Sequence, residues 1–468
     1  MSRRRSFVAF LAIFGATALA AVPGRALEAP RLLADIVPGD AADARPSAGG
    51  FIRLGDRLIF STLGATADDE AILWATDGTA EGTLELTSRL CPIGCEEIRP
   101  LGSVGGVALL APRPGRLWRT DGTPAGTFPV TGRFDSTGET ARVAPDSPFL
   151  FFTACGPILG CELWRSDGTK AGTRMVRDIA PGPGGSNPHS LTPFHGKLYF
   201  LAGGATLADT GLWSTDGTPE GTRFVAPSVN NSVNGDTVLG ATPSRLFFTS
   251  LNTTEQLFAS DGTPRGTRLV HRFQPPPCTE HDLCQGPILR YLLPVGDEMI
   301  FTASDGVHGP QFWSSDGTRA GTRQRSDLRA SPLDIASIPQ PLKGRWIFSA
   351  PQRPAGTTAL WTVDGSFAHP APVTGCQGGC PEVQFLFPPP APIPAPSHLL
   401  FAGTDPAHGA ELWATDGTGP GTRRLADICP GPCSAFFDQG PDVALGEAAG
   451  RTYFWRNRDR PTPRRSSG

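Results

Sequence analysis

Short apolar runs alternate along this chain with clusters of Gly, Pro, Asp and Thr, at a nearly constant spacing. One phrase sets the register, roughly Leu-Trp-x-Thr/Ser-Asp-Gly-Thr-x-x-Gly-Thr. It occurs eight times, with its Asp at Asp77, Asp121, Asp167, Asp216, Asp261, Asp316, Asp364 and Asp416, 44 to 55 residues apart. Aligning the chain on this phrase superposes three further apolar segments. A weak one comes first, such as Phe51–Leu54 or Tyr291–Leu293. A stronger one follows a Gly or polar turn: Leu58–Phe60, Leu198–Phe200, Leu246–Phe248, Ile300–Phe301, Trp346–Phe348 and Leu399–Phe401. A third run follows the phrase, as in Leu84–Leu86, Met175–Val176, Phe224–Val225 and Leu269–Val270. Each unit thus predicts four short strands, a to d, and none has the 3.6-residue period of a helix.

Four-strand units recurring every 40 to 50 residues predict an all-β fold, a β-propeller of four-stranded blades. In Leu163-Trp164 and Leu412-Trp413 adjacent apolar residues point to opposite faces of one strand, so both faces must be covered. A blade stacked between two others meets that condition, whereas a two-layer sandwich favours apolar/polar alternation. The phrase joins strand c to strand d. Its first Gly suits a turn with positive φ, and its Asp and Thr side chains can bond turn amides that no strand pairs. The eight Asp are therefore read as structural turn residues. The rival reading is calcium at each Asp, but that ion wants six or more oxygens and usually several carboxylates per site. No cofactor is expected, with calcium the one ion kept open.

Glu162-Leu163-Trp164-Arg165-Ser166-Asp167-Gly168-Thr169 and Glu411-Leu412-Trp413-Ala414-Thr415-Asp416-Gly417-Thr418 match one motif in full. On these residues the chain resembles the bacterial repeat family named for its ELWxxDGT motif. Copy five departs with Phe258 for Trp, and copy seven with Val363-Asp364-Gly365-Ser366 and no following Gly-Thr. The resemblance implies an exported, propeller-type protein and no catalytic residues to carry over.

The two ends read as halves of one more unit. Arg31–Gly39 repeats the strand-d segments Val176–Gly182 and Leu425–Gly431. Asp442–Leu445 and Arg451–Trp455 look like strands a and b with no phrase after them. Pairing them in one sheet would close a ring and cover its edges. Eight blades with the termini meeting is the expectation. Nine is the alternative if the leftover segments count as a blade lacking a clear strand c, and seven if the degenerate copy seven collapses.

The rest of the composition places the chain in the cell. Arg3, Arg4 and Arg5 precede an apolar run from Phe7 to about Val22, and Ala18-Leu19-Ala20 offers a small-x-small site. Residues 1–20 are read as a signal peptide cleaved near Ala20-Ala21, with a retained anchor as the rival. The propeller then spans 27–455, and 456–468 is a basic flexible tail with five Arg and one Asp. All ten Cys fall in close pairs, Cys91/Cys95, Cys155/Cys161, Cys278/Cys284, Cys376/Cys380 and Cys429/Cys433. On an exported chain these read as local disulfides; zinc would want C-x2-C spacing with matching partners. Export to the periplasm or beyond the cell follows. Net charge is −3, and the repeats show no basic patch of the kind nucleic acid requires. No transmembrane segment is expected after cleavage, and a monomer is.

In a meander blade the b–c and d–a loops share one face and the c–d turns lie on the other. All five Cys pairs are expected on the loop face, with the long segments Pro181–His189, Pro275–Pro287 and Phe385–Pro396. Binding usually resides in such loops. The candidate binding residues there are Glu280, His281 and Asp282, inside Cys278/Cys284, and His308 and His408 at equivalent b–c positions. The recurrence of the two His favours a loop-stabilising role. Seven of nine Trp fill the Leu-Trp position and leave few free aromatic platforms. No catalytic residue is assigned. The reading is a non-enzymatic exported propeller, a binding, adhesion or structural scaffold for an envelope or extracellular protein or glycan. The alternative is a propeller glycosidase or lyase acting on extracellular polysaccharide.

Overall fold

The computed structural model describes residues 9–14, 31–35, 45–63, 72–87, 97–113, 115–137, 142–143, 147–228, 239–251, 255–273, 289–304, 307, 310–327, 335, 337–352, 357–386, 397–428, 431, 434, 446–448 and 451–455. It is an all-β propeller. Each of the eight repeats builds its own antiparallel sheet in the order a-b-c-d. Blade 4 is typical: His189–Phe194, Lys197–Ala202, Gly211–Thr215 and Arg223–Pro227. In blade 3 strand a is split into Ser136–Thr137 and Arg142–Val143, both paired with Leu150–Gly156. Copy seven, for all its sequence drift, keeps four strands: Gln340–Leu342, Arg345–Gln352, Thr357–Asp364 and Ala371–Pro372. The helical content among the described residues is one 3-10 turn, Leu207–Asp209, in the b–c loop of blade 4.

The apolar core lies between sheets. One layer joins Ile52, Ile59 and Leu73 of blade 1 to Ile98, Ala108 and Leu110 of blade 2. Another joins Leu198 and Phe200 of blade 4 to Phe151 and Leu163 of blade 3. This is why Leu and Trp stand side by side in strand c. Leu163 lies in the layer with blade 4 and Trp164 packs against the layer with blade 2, and Leu412 and Trp413 are likewise 0% and 2% exposed. The Trp is also fixed along the sheet. A strand-b Phe pairs with it in register, as in Phe152↔Trp164 and Phe401↔Trp413. In blades 6 and 8 its indole N–H donates to a strand-b oxygen, Trp313 Nε1 to Ala303 O at 3.1 Å and Trp413 Nε1 to Gly403 O at 3.0 Å, while Trp213 Nε1 donates to Asp209 O of the b–c loop at 3.1 Å.

The termini share a ninth sheet. Its strands are Gly446–Ala448, Arg451–Trp455, Ala9–Phe14 and Arg31–Asp35, in the positions a to d. Strand a falls on Gly446–Ala448, just after the expected Asp442–Leu445, which lies outside the described residues. The sheet packs on blade 1 through its strand a. Strand c, missing from the sequence reading, is supplied by Ala9–Phe14, from within the segment read as a signal peptide. An apolar run that can cross a membrane interface can equally form a β-strand, and hydrophobicity alone does not separate the two.

Candidate functional site

The c–d turns define one face. In blade 3 Asp167 Oδ1 accepts from Thr169 N at 2.8 Å and from the Thr169 hydroxyl at 2.7 Å. Ser166 and Thr173 hydroxyls meet at 2.7 Å, and Gly168 N donates to Ser166 Oγ. Gly172 N donates to Thr169 Oγ1. Gly168 has φ 84°, a region closed to most side chains. A Cβ on Gly172 would fall about 2.1 Å from the Asp167 carboxylate, so the second Gly of the phrase makes room for its Asp. The same network recurs at Asp77, Asp121, Asp216, Asp261, Asp316 and Asp416. In copy seven Asp364 keeps its bonds to the Ser366 amide and hydroxyl. At Asp77 the Thr79 hydroxyl bond, outweighing partial burial, holds the carboxyl below the usual Asp value.

The turns also couple blades. The Gly carbonyl of one turn accepts from the preceding blade: Arg57 Nη1 to Gly122 O at 3.0 Å, Arg268 Nη2 to Gly317 O at 3.0 Å and Tyr199 OH to Gly262 O at 3.3 Å.

The loop face is stiffened by a residue the sequence reading did not single out. Glu162, the first letter of the motif, is fully buried on strand c. Its carboxylate accepts from the amides of Ile179 (3.3 Å), Ala180 (3.1 Å) and Ser186 (2.9 Å), and from the Ser186 hydroxyl (2.6 Å). Burial pushes the Glu162 carboxyl up, against the pull of these four donors. The d–a segment after strand Arg174–Met175, within the expected long loop, is thereby folded onto strand c. Asn187 N to Cys161 O at 2.9 Å and a parallel bridge between Cys161 and Gly185 add to this. Glu411 is equally buried and accepts from Ile428 N at 2.8 Å. In copy six Gln311 replaces the Glu and accepts from the Ser326 hydroxyl at 2.9 Å. A lone carboxylate in an apolar strand was the available signal, because such a group is not buried without donors.

Cys155 and Cys161 are disulfide-bonded and face each other across the b–c hairpin of blade 3. The hairpin tip exposes Ile158 (78%) and Leu159. The equivalent tip positions of blades 6 and 8 are Val307, 67% exposed, and Ala407, also exposed. One face thus presents an apolar side chain at the same point of three b–c loops. In blade 8 the hairpin is held by Asp405, whose Oδ1 accepts from Ala407 N (2.9 Å) and His408 N (3.0 Å) and lies 2.7 Å from His408 Nδ1. Arg424 Nη1 stands 3.8 Å from Asp405 Oδ2. His408 therefore sits within a loop-bracing cluster. His308, Glu280, His281 and Asp282 lie outside the described residues, as do Cys91, Cys95, Cys278, Cys284, Cys429 and Cys433.

Cys376 and Cys380 are bonded as expected, but not on the loop face. Gln377 N donates to Thr422 O at 3.2 Å and Gln377 Nε2 to Pro420 O at 2.9 Å, both in the c–d turn region of blade 8. The expectation that all Cys pairs share the loop face is corrected here. Strand d of blade 7 is Ala371–Pro372, and after Val373 N, which still donates to Leu360 O at 2.8 Å, the Gln377 bonds hold the Cys ring against blade 8.

Among the described residues no group of three or more His, Cys, Asp or Glu is placed to hold a metal ion, and no helix is long and apolar enough to cross a membrane. No family model matches the chain, and no curated protein does. Solved structures match at low identity. A prolyl endopeptidase aligns at 14% identity and TM-score 0.46, over 81% of this chain and 50% of that one. This chain spans about half the length of that enzyme. The β-propeller domain of the Trilobed protease from Pyrococcus furiosus, described as having an open velcro topology, aligns at 9% identity and TM-score 0.40, covering 85% of this chain and all of that one. Saccharomyces cerevisiae Sqt1 aligns at 10% identity and TM-score 0.42, over 78% and 95% of the two chains.

Proposed function

We propose that this chain is an exported, non-enzymatic β-propeller of the ELWxxDGT type, and that its b–c and d–a loop face binds an envelope or extracellular protein or glycan. The observation that carries the reading is the set of apolar tips at Ile158, Val307 and Ala407, one at the same place in each of three b–c loops. A solvent-exposed Ile on a disulfide-closed hairpin contributes nothing to the core. It gives a partner a contact whose shape is already fixed, which limits the entropy lost on binding. The buried Glu162 and the Asp405 cluster support the same view, since both spend polar groups on holding loops still. Disulfides at Cys155–Cys161 and Cys376–Cys380 suit an oxidising compartment.

The test is a cross-linking capture from the cell's own envelope fraction, run with the wild type and with an Ile158→Asp, Val307→Asp double variant. The reading expects a partner that the variant loses while its melting temperature is unchanged. Identical capture by both proteins would refute the proposed face. Turnover of any member of a polysaccharide panel would refute the non-enzymatic assignment.

A further inference from the structure

We propose that the strand-c position of the ninth sheet is a strand-acceptor site that takes an extended apolar segment of another polypeptide once residues 1–20 have been removed. The inference rests on the reading of those residues as a cleaved signal. Three observations carry it. First, Ala9–Phe14 occupies the position in the repeat register. Leu11 pairs with Phe454 on one side and Leu32 on the other, as Trp164 pairs with Phe152 and Met175 in blade 3. In backbone register the position is therefore that of a strand c. Second, the connection from this strand to strand d is residues 15–30, in place of the short Asp-Gly turn of the other blades, and it contains the Ala20-Ala21 cleavage position. Cleavage there removes strand c and leaves Arg451–Trp455 and Arg31–Asp35 as its two former neighbours.

Third, what remains is specific for a strand. In the sheet, positions b and d run parallel to each other two strand spacings apart, about 9.6 Å, and Arg31–Asp35 is paired through strand c. Removal of strand c bares the backbone donors and acceptors of Arg451–Trp455 as an edge, and an added strand would pair there and take Arg31–Asp35 on its other side, so main-chain bonds supply affinity and register positions supply selectivity. The occupant would carry a bulky apolar residue where Leu11 stands, since seven of the eight blades place Trp there and blade 5 places Phe258. The chain's own tail is unsuited. Residues 456–468 hold five Arg, and Pro461 and Pro463 would each remove a ladder donor.

The experiment uses the exported protein. Mass spectrometry first fixes its N-terminus. A synthetic peptide of residues 7–16, flanked by lysines for solubility, is then titrated against it beside an Ala12→Pro peptide. The proposal expects a chain beginning at or near residue 21 and saturable binding of the first peptide only. It expects a rise in Tm of roughly 3 °C at a hundredfold excess over Kd, and slowed amide exchange at 31–35 and 451–455. An exported chain that retains residues 9–14 would overturn both the processing reading and the acceptor site. A processed chain that ignores the peptide, or binds it without slowed exchange at those strands, would overturn the acceptor site alone and leave processing intact.

Discussion

At the residue scale, each letter of the repeated phrase has a separate physical task. Asp accepts the turn's bonds, the first Gly supplies φ, the second Gly clears space, and Thr closes the ring of hydroxyls. Asp167→Ala should cost about 1 kcal/mol by removing one acceptor from two donors, read as a shift in denaturant midpoint. All eight turn Asp titrate below their usual value. Their contribution is complete above the unfolded Asp value, near pH 4, and is lost as pH falls through the lower folded values. Glu162 has the opposite sign: its raised folded value adds stability as the carboxyl protonates. With eight Asp against one such Glu, Tm should fall on acidification below about pH 4. Glu162→Ala strands four buried donors and should cost about 3 kcal/mol, while Glu162→Gln, the solution copy six already uses, should cost less; chemical denaturation of the two variants decides. The Asp role was legible because polar turn residues recur. The Glu role was not, because a motif letter shows that a residue repeats without showing which amides reach it.

At the element scale, strand c carries the fold. Its Trp fills one inter-blade layer, its Leu the next, and its indole ties it to strand b. Trp413→Ala should cost about 3–5 kcal/mol in denaturant unfolding, well above the turn Asp. Opening the Cys155–Cys161 ring should cost roughly 2 kcal/mol and raise proteolysis within the hairpin. Strands a to c and the c–d turn were legible from the alignment of apolar runs on one phrase. Strand d was less so. After it in blade 7, Gln377 bonds the c–d turn region of blade 8 and holds Cys376–Cys380 there, a contact between blades that local pattern does not encode.

At the scale of the whole molecule, eight repeats give eight sheets, and the chain ends give a ninth that joins its beginning to its end. The repeat count was plain from the sequence, and so was the kinship of Arg31–Gly39 with later strand-d segments. The occupant of strand c was not, because Ala9–Phe14 has the composition of a signal and none of the phrase. The loop-face candidates Glu280, His281, Asp282 and His308 remain sequence expectations. In a chain that retains residues 9–14, deleting residues 27–39 should lower Tm sharply by unpairing the ninth sheet, and an unchanged Tm would separate the termini from the fold. The most direct test of the account is a crystal structure of the exported chain. It should show eight four-stranded blades, and the tips at Ile158, Val307 and Ala407 on the face opposite the Asp-Gly turns. Repeats that do not form separate four-stranded sheets, or b–c tips folded into the core, would contradict it.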